Sequence, residues 1–287
     1  MKKIVFIANE RDKVLNLVSK NIPEISFAYA NKLLRQKDIR VDNVKQSENV
    51  SVEYGSEIAV FVPDEVLEKG QVKTDVVYSD DKLLVVFKPK GIEVASEGVN
   101  LLDNIRKELN NKSIFALNRL DRNTEGLVLF AYGKENYNLL KGSMKKGEIT
   151  KVYMAEVVGL PKWNELTAVN YLQKDDEKSE VKIFDSPVKN SVKIESSFRV
   201  LNRSTGGTSL LEIEIKNGKT HQIRAQLAHL KFAIVGDGKY GKNLDNKKFK
   251  AKTQKLTAIS LKFNFKDEKL KYLNNLDLKV KPTWLNV

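Results

Sequence analysis

The chain has 287 residues, of which 41% are hydrophobic, and this share is enough for a packed core and excludes a wholly disordered protein. It has no cysteine, which excludes disulfides, cysteine nucleophiles and zinc–thiolate sites. No apolar run approaches the roughly 20 residues of a membrane-spanning helix, and the first residues lack the long apolar core of a signal peptide, so we expect a cytoplasmic protein.

Positive charge is in excess and is unevenly distributed. Lys and Arg number 50 against 37 Asp and Glu, a net charge of +13. Residues 241–287 hold 12 basic and 4 acidic side chains, whereas residues 1–64 hold 10 and 9. The densest run, KNLDNKKFKAKTQK over residues 242–255, is too polar for a core and is expected to be an exposed helix or a loop. Such a surplus favours a nucleic-acid partner; the alternative is a surface of solvated lysines.

The N-terminal part of the chain predicts a small module of two helices and a short sheet. Apolar residues at helical spacing predict helices over residues 14–22 and 27–34. Short apolar runs predict strands at residues 39–41, 50–52 and 58–62. The stretch LLRQKDIRVDN that starts at residue 33 resembles the LLRxGxVxVNG core of S4-type RNA-binding modules. It departs from that pattern at two positions, Lys37 and Asn43.

The remainder of the chain predicts a larger α+β domain. Residues 1–64 form the predicted S4-like module, residues 65–74 a polar linker with Pro and Gly just before and within it, and residues 75–287 a second domain. Irregular alternation of strand-like and helix-like segments predicts a mixed, mainly antiparallel sheet there. The predicted helices span 101–110 and 134–144, and the predicted strands span 76–78, 83–87, 126–131, 153–158, 191–200, 210–215 and 259–265.

Two common functional signals are absent from the sequence. Gly218-Lys219-Thr220 resembles the end of a phosphate-binding loop, but the glycine that this motif needs at position 213 is Ile. His221 and His229 are the only histidines, and eight residues apart without cysteine they make a poor metal site. We therefore expect neither a P-loop nor a metal.

The most informative segment is NRLDRNTEG, residues 118–126, which precedes the apolar run LVLFA. A polar segment directly before a buried strand predicts that Asp121 lies in a loop at the mouth of a sheet. The alternative is an aspartate that only forms its own turn, with Thr124 and Gly126 completing that turn.

This segment resembles the HRLDxxTSGLLLxA motif of pseudouridine synthases of the RluA type, with Asp121 at the position of their catalytic aspartate. Further segments match motifs of that family in the same order: KPKG (88–91), KVY (151–153), GKTHQIR (218–224), IVGDGKYG (234–241) and LTA (256–258). The chain departs from the family's pattern at Asn118, Glu125, Lys219, Gln226, Lys231 and Thr257.

The resemblance implies a reaction without cofactor or metal. The N1–C1′ bond of a uridine breaks, the base turns and C5 bonds to C1′, with no oxidation and no net hydrolysis. Asp121 is implied as the ionised nucleophile or base beside the sugar, and Arg224 as the cation that orients it. Tyr153 is implied to stack on the base or sugar or to move a proton. Because the uridine must leave its stack to react, Arg119 is implied to fill the gap.

The expected partner is RNA, the implied substrate is large-subunit ribosomal RNA, and we expect a monomer without membrane or metal partners. Two alternatives stay open: a non-catalytic RNA-binding or ribosome-assembly protein that keeps the fold, and a synthase directed at tRNA. We expect no catalytic role for Asp237, which is predicted to serve a turn. The predicted RNA contacts besides Arg119 are Arg35, Lys37, Arg40, Lys88, Lys219, Lys247, Lys248 and Lys250.

Overall fold

The computed structural model describes residues 1–22, 24–25, 27–63, 74–96, 99–175 and 180–285. The chain divides into two compact units, Met1–Thr74 with Ala95–Lys112, and Asp75–Val94 with Ser113–Val287. Residues 95–112 thus group with the first unit, whereas the sequence-based division assigned them to the second. The predicted linker, residues 65–74, lies outside the described residues except for Thr74.

The first unit contains a four-stranded antiparallel sheet in the order β1-β6-β3-β4, and β2 pairs with β5. Both predicted helices and all three predicted strands are present, and β1, β2 and β4 are additional. The apolar faces of α1 and α2 form one core with the sheet residues Ile39, Ile58 and Val60. The elements are β1 Lys2–Ile7, β2 Asp12–Lys13, α1 Val14–Asn21, α2 Phe27–Arg35, β3 Ile39–Val41, β4 Val44–Gln46, β5 Ser51–Val52, β6 Glu57–Val62 and α3 Leu101–Glu108.

The second unit is built on one sheet of eleven strands. Its elements are β7 Asp75–Ser79, β8 Leu83–Lys88, β9 Ile114–Ala116, β10 Glu125–Tyr132, α4 Gly133–Lys145, β11 Ile149–Val158, β12 Glu165–Asp175, β13 Glu180–Phe184, β14 Val192–Arg203, β15 Thr208–Ile215, α5 Gln222–His229, α6 Asn243–Lys248, β16 Leu256–Phe263, a 3₁₀ helix Lys271–Asn275 and β17 Leu278–Lys279. The strand order is β13-β12-β14-β15-β11-β16-β10-β8-β7, with β9 beside β10 and β17 beside β16.

Among the described strands of this sheet, β10 and β16 form the one parallel pair, and every other pair is antiparallel. The predicted α+β class with a mixed, mainly antiparallel sheet is confirmed. Nearly all of β10 is buried, because strands cover both of its edges and its apolar side chains enter the core. This buried strand begins four residues after Asp121, so the centre of the sheet fixes the loop that carries the aspartate.

Gly126 permits the close approach of β10 and β16. Its φ is +117°, and a Cβ atom there would lie 2.3 Å from the carbonyl oxygen of Ala258. No side chain fits in that space, and this backbone conformation is strained for any residue with a Cβ atom. The glycine therefore allows the close pairing of β10 with β16 and does not serve only a turn.

Gly126→Ala is expected to lower the free energy of unfolding by about 2–4 kcal/mol, since a Cβ must push two backbones apart as well as bear the strain of a positive φ. Urea denaturation followed by circular dichroism measures this loss. Gly207→Ala is the matched control, because Gly207 also has a positive φ, +88°, but open space around it. Equal losses in the two variants would contradict the proposed steric constraint.

Candidate active site

Asp121 lies in the loop between β9 and β10, and its carbonyl oxygen accepts the Thr124 N–H at 2.9 Å. The segment thus forms the turn that its composition predicts. A second loop holds it from outside, since Gly91 N–H donates to the carbonyl of Arg122 at 2.8 Å and Arg122 Nε donates back to the carbonyl of Gly91 at 3.0 Å. Fixed in this way, the Asp121 side chain keeps a quarter of its surface exposed.

Arg224 binds two carboxylates at once. Its Nη1 donates to Asp121 Oδ2 at 2.7 Å, while Nε and Nη2 donate to Asp237 Oδ2 and Oδ1 at 2.7 and 2.9 Å. Burial by itself would lower the pKa of Arg224, but the hydrogen bonds and charges of Asp237 and Asp121 outweigh burial and raise it. A permanently charged, planar guanidinium is therefore fixed against Asp121.

Asp237 holds Arg224 from the side opposite Asp121 and is completely buried. Burial acts to raise the pKa of its carboxyl, but the hydrogen bonds and charge of Arg224 outweigh burial, and the net shift is downward. Its Oδ1 also accepts the backbone N–H groups of Lys239 and Tyr240, at 2.9 and 3.0 Å. The predicted turn role is therefore present, and the same side chain also orients Arg224.

Arg224 is the third residue of α5, and this helix begins directly after His221, whose φ is +54°. Arg224 therefore lies at a strand-to-helix corner, between β15 and α5. The short helix that follows β15 carries the guanidinium back to the loop of Asp121, 103 residues earlier in the chain.

His221 lies beside Asp121 and Tyr240 lies beside Arg224, and sequence reasoning gave neither a role in the site. The Tyr240 hydroxyl accepts the Val181 N–H at 3.0 Å and lies 2.9 Å from His221 Nδ1, while His221 Nε2 is 3.8 Å from Asp121 Oδ2. Burial is the main cause of the lowered pKa of His221, and this shift favours the neutral ring. The tautomer of the imidazole decides whether Tyr240 Oη or His221 Nδ1 donates in this contact, and Nε2 is the ring nitrogen that faces Asp121.

Tyr153 lies on β11 where the pairing with β16 shifts register between Val152 and Tyr153. Such an irregularity re-aims a side chain. The residue is buried, and burial followed by the charge of Asp121 raises the pKa of its phenol. The hydroxyl thus keeps its proton near neutral pH, and the ring is held rigidly within the electrostatic reach of Asp121.

Lys88 was predicted to contact RNA, and the structure corrects this prediction. The side chain is completely buried, and Nζ donates to the carbonyl oxygens of Pro89, Ile92 and Arg122 at 2.8, 2.8 and 3.1 Å. Burial lowers its pKa to about 7, against the opposing charges of Asp121 and Glu125. No ammonium surface is left for a phosphate, so Lys88 instead joins the 89–92 turn to the Asp121 loop.

The departures at Glu125 and Thr257 are joined to each other. Thr257 donates its hydroxyl proton to the buried Glu125 carboxylate at 2.8 Å. The same carboxylate accepts the N–H and hydroxyl of Thr283, at 2.9 and 2.6 Å, and Trp284 Nε1 donates to Thr257 Oγ1 at 2.8 Å. These residues fasten the C-terminal segment to the start of β10. At Asn118, another departure, Oδ1 accepts the N–H of Leu129.

The other predicted RNA contacts are mostly exposed. Arg40 is the exception, since it is partly buried with its guanidinium 5.0 Å from the ring centre of Phe61. The run at 242–255 begins with the exposed helix α6, as its polarity indicates. The exposed residues are Arg35, Lys37, Arg119, Lys219, Lys247, Lys248 and Lys250.

Within the described ranges, no group of three or more His, Asp or Glu side chains is arranged to hold a metal ion. A search of the same residues finds no helix that is both long and apolar enough to span a bilayer.

Comparisons with known proteins agree with this geometry. A family model described as RNA pseudouridylate synthase matches residues 82–229. Ribosomal large subunit pseudouridine synthase C from Buchnera aphidicola subsp. Baizongia pistaciae is 27% identical over 281 residues, covering 89% of this chain and 86% of that protein. The tRNA pseudouridine synthase C of Haemophilus ducreyi is 29% identical over 197 residues, covering 63% and 80%. The solved structure of human RNA pseudouridylate synthase domain containing 1 has a TM-score of 0.62 at 20% identity, covering 74% and 85%, and shows the shared fold.

Because the family model spans more than half of the chain, the protein belongs to the RNA pseudouridylate synthase family. It is an isomerase that converts uridine in RNA to pseudouridine.

Arg224→Lys is expected to lower kcat about 100-fold, because one ammonium cannot hold both carboxylates in place and a small misplacement of a catalytic group is costly. Tritium release from RNA labelled at uridine C5 measures the rate. Arg203→Lys is the matched control: Arg203 donates to Pro161 O, Trp163 O and Asn164 Oδ1, away from Asp121. A loss of stability in both variants with normal kcat in both would make Arg224 purely structural.

Proposed function

We propose that the protein isomerises specific uridines of large-subunit ribosomal RNA, with Asp121 as the catalytic carboxylate. The observation that carries this proposal is the Arg224 guanidinium bound between Asp121 and Asp237. The printed name of the Buchnera relative, which covers most of this chain, supports ribosomal RNA as the substrate class. Ribosomal RNA also supports the cytoplasm as the place of action, and we expect the protein to act as a monomer.

The chemistry proposed for Asp121 needs an ionised carboxylate beside the ribose, acting as nucleophile or base. The N1–C1′ bond breaks, the C5–C1′ bond forms, and the proton that leaves C5 is balanced by one gained at N1. Arg224 keeps the carboxylate oriented and gives up no proton to it, because its guanidinium remains charged. The phenol of Tyr153 keeps its proton, which favours a stacking or hydrogen-bonding role over that of a base.

Access to the uridine requires that it leave the base stack, at a cost of a few kcal/mol. Arg119 is exposed and lies two residues before Asp121, which supports its proposed role in filling the vacated position. Lys219 is likewise exposed and lies three residues before Gln222, the first residue of α5. In the first unit, exposed Arg35 and Lys37 and partly buried Arg40 are the proposed contacts of an S4-like module.

A tRNA-directed activity is the second candidate, and the printed name of the Haemophilus ducreyi relative favours it. Mapping of pseudouridines in total RNA from cells with and without the gene separates the candidates. The proposal predicts loss of one or more sites in large-subunit ribosomal RNA. Sites lost only from tRNA would replace the substrate class, and no lost site at all would favour an assembly protein that keeps the fold.

Asp121→Asn is expected to abolish turnover while RNA binding and fold are retained, because the amide keeps the size of the side chain but removes the anionic oxygen. Tritium release from C5-labelled RNA measures turnover, and filter binding measures RNA affinity. Asp81→Asn, at an exposed loop position, is the matched control. Tritium release by Asp121→Asn at near-normal rate would refute the catalytic assignment.

The second test concerns the lysines of the basic run. Lys247, Lys248, Lys250 and Lys252 are all exposed, so their charges are available to phosphate. If all four touch phosphate on single-stranded RNA, their replacement by Gln reduces the slope of log K against log salt by about 2–3 units. Turnover at saturating RNA is expected to change little. Filter-binding titrations at several salt concentrations measure the slope.

The matched control replaces Lys266, Lys269, Lys271 and Lys279 with Gln, which removes the same charge. Three of these lysines already pair with acidic side chains, Glu135, Glu268 and Asp277. An equal change of slope in the two quadruple variants would indicate an effect of net charge alone. An unchanged slope in the first would indicate a solvated loop and direct attention to Arg35, Lys37 and Arg40.

A further inference from the structure

The basic run at 242–255 is joined to the turn that holds Arg224. From α6, Asn246 Nδ2 donates to the carbonyl oxygen of Asp237 at 3.0 Å, and Asn246 Oδ1 accepts the N–H of Gly236 at 2.8 Å. The contact is close along the backbone as well, because a Cβ atom at Gly236 would lie 2.1 Å from the carbonyl oxygen of Thr253. One side chain thus fixes the turn at two successive residues.

The other end of the run is joined to the turn of Asp121. Gln254 is buried, and its Nε2 donates to Thr124 Oγ1 at 2.6 Å. The N–H of Thr124 in turn donates to the carbonyl of Asp121 at 2.9 Å. The neighbouring Lys255 N–H donates to the carbonyl of Val235, so this end of the run also stays beside the Asp237 turn.

One segment therefore holds both turns whose carboxylates meet on Arg224. We propose that Asn246 and Gln254 are positioning residues: they set the distance between the Asp237 turn and the Asp121 turn, and through it the contact of Arg224 with Asp121. This inference rests on the proposed catalytic role of Asp121. Neither side chain touches the reacting atoms.

The two roles of the segment lie on different faces. Asn246 and Gln254 point to the two turns, whereas Lys247, Lys248 and Lys250 are exposed. Loss of the inward contacts changes the geometry of the catalytic pair and leaves the charge of the surface unaltered. Loss of the lysines does the reverse. Mutations on the two faces therefore affect different kinetic quantities.

The experiment compares Asn246→Ala and Gln254→Met with wild type in steady-state tritium release, using C5-tritiated total RNA from cells that lack the gene. Both variants are expected to lower kcat about 10-fold or more, with KM and the salt slope of RNA binding unchanged. Asn243→Ala, at the exposed first position of α6, is the matched control and is expected to behave as wild type. Melting curves confirm that each variant is folded at the assay temperature.

A second pair of variants tests the Gln254 contact from the opposite side if Gln254→Met does not fold. Thr124→Val removes the hydroxyl at nearly constant volume, and Thr124→Ser keeps it. The inference predicts that the serine variant retains more of kcat than the valine variant.

The possible failures are distinguishable. No release by wild type would refute the proposed function. Normal kcat in Asn246→Ala and in Gln254→Met, or in Thr124→Val if Gln254→Met does not fold, with an active wild type, would refute the inference alone. A rise in KM at constant kcat would also overturn it, since these residues would then act in RNA binding.

Discussion

The proposed active site depends on one buried guanidinium shared by two carboxylates. Arg224 holds Asp237 with two hydrogen bonds and Asp121 with one. Removing a charged group from water costs several kcal/mol, and this cost is offset only when partners are fixed in good geometry. Asp237 supplies that geometry, because its own carboxylate is completely buried and also accepts two backbone N–H groups. Arg224 therefore presents its remaining nitrogen, Nη1, to Asp121 in a fixed direction.

The rest of the second unit maintains this arrangement from several parts of the chain. The parallel pairing of β10 with β16 at Gly126 fixes the strand that follows the Asp121 loop. Lys88 Nζ donates to the carbonyl oxygen of Arg122, which lies in that loop. Residues far apart in sequence thus converge on one carboxylate, which remains partly exposed while its supports are buried. Supports fixed in this way limit the reorganisation that the carboxylate needs before reaction.

The sequence was sufficient for the parts of the site that a motif reports directly. Asp121 and Arg224 were predicted as a pair, and the structure brings them to 2.7 Å. The role of Asp237 was missed, because a Gly-Asp-Gly segment is equally well explained by a turn, and its contact with Arg224 is tertiary. His221 and Tyr240 were missed for a similar reason, because their contacts in the site are tertiary. The sequence analysis considered His221 only as a metal ligand.

Burial decided the predictions that were wrong or incomplete. Lys88 was predicted to contact RNA, but its three carbonyl partners are tertiary contacts that the sequence does not reveal. Glu125 and Thr257 departed from the family's pattern 132 residues apart, and their sequence positions do not reveal that they are hydrogen-bonded. The two residues belong to one buried hydrogen-bond network at the start of β10, and this network does not include the Asp121–Arg224 contact.

The most direct test of the account is the kcat of Asp237→Asn. This variant keeps the shape of the side chain but removes the charge and one of the two acceptor oxygens, so one of the two hydrogen bonds from Arg224 is lost. The account predicts that kcat falls by about 10–100-fold with RNA affinity retained, since Arg224 then no longer holds Asp121 in one direction. A folded variant with normal kcat would contradict the claim that the shared guanidinium orients Asp121, the proposed catalytic carboxylate.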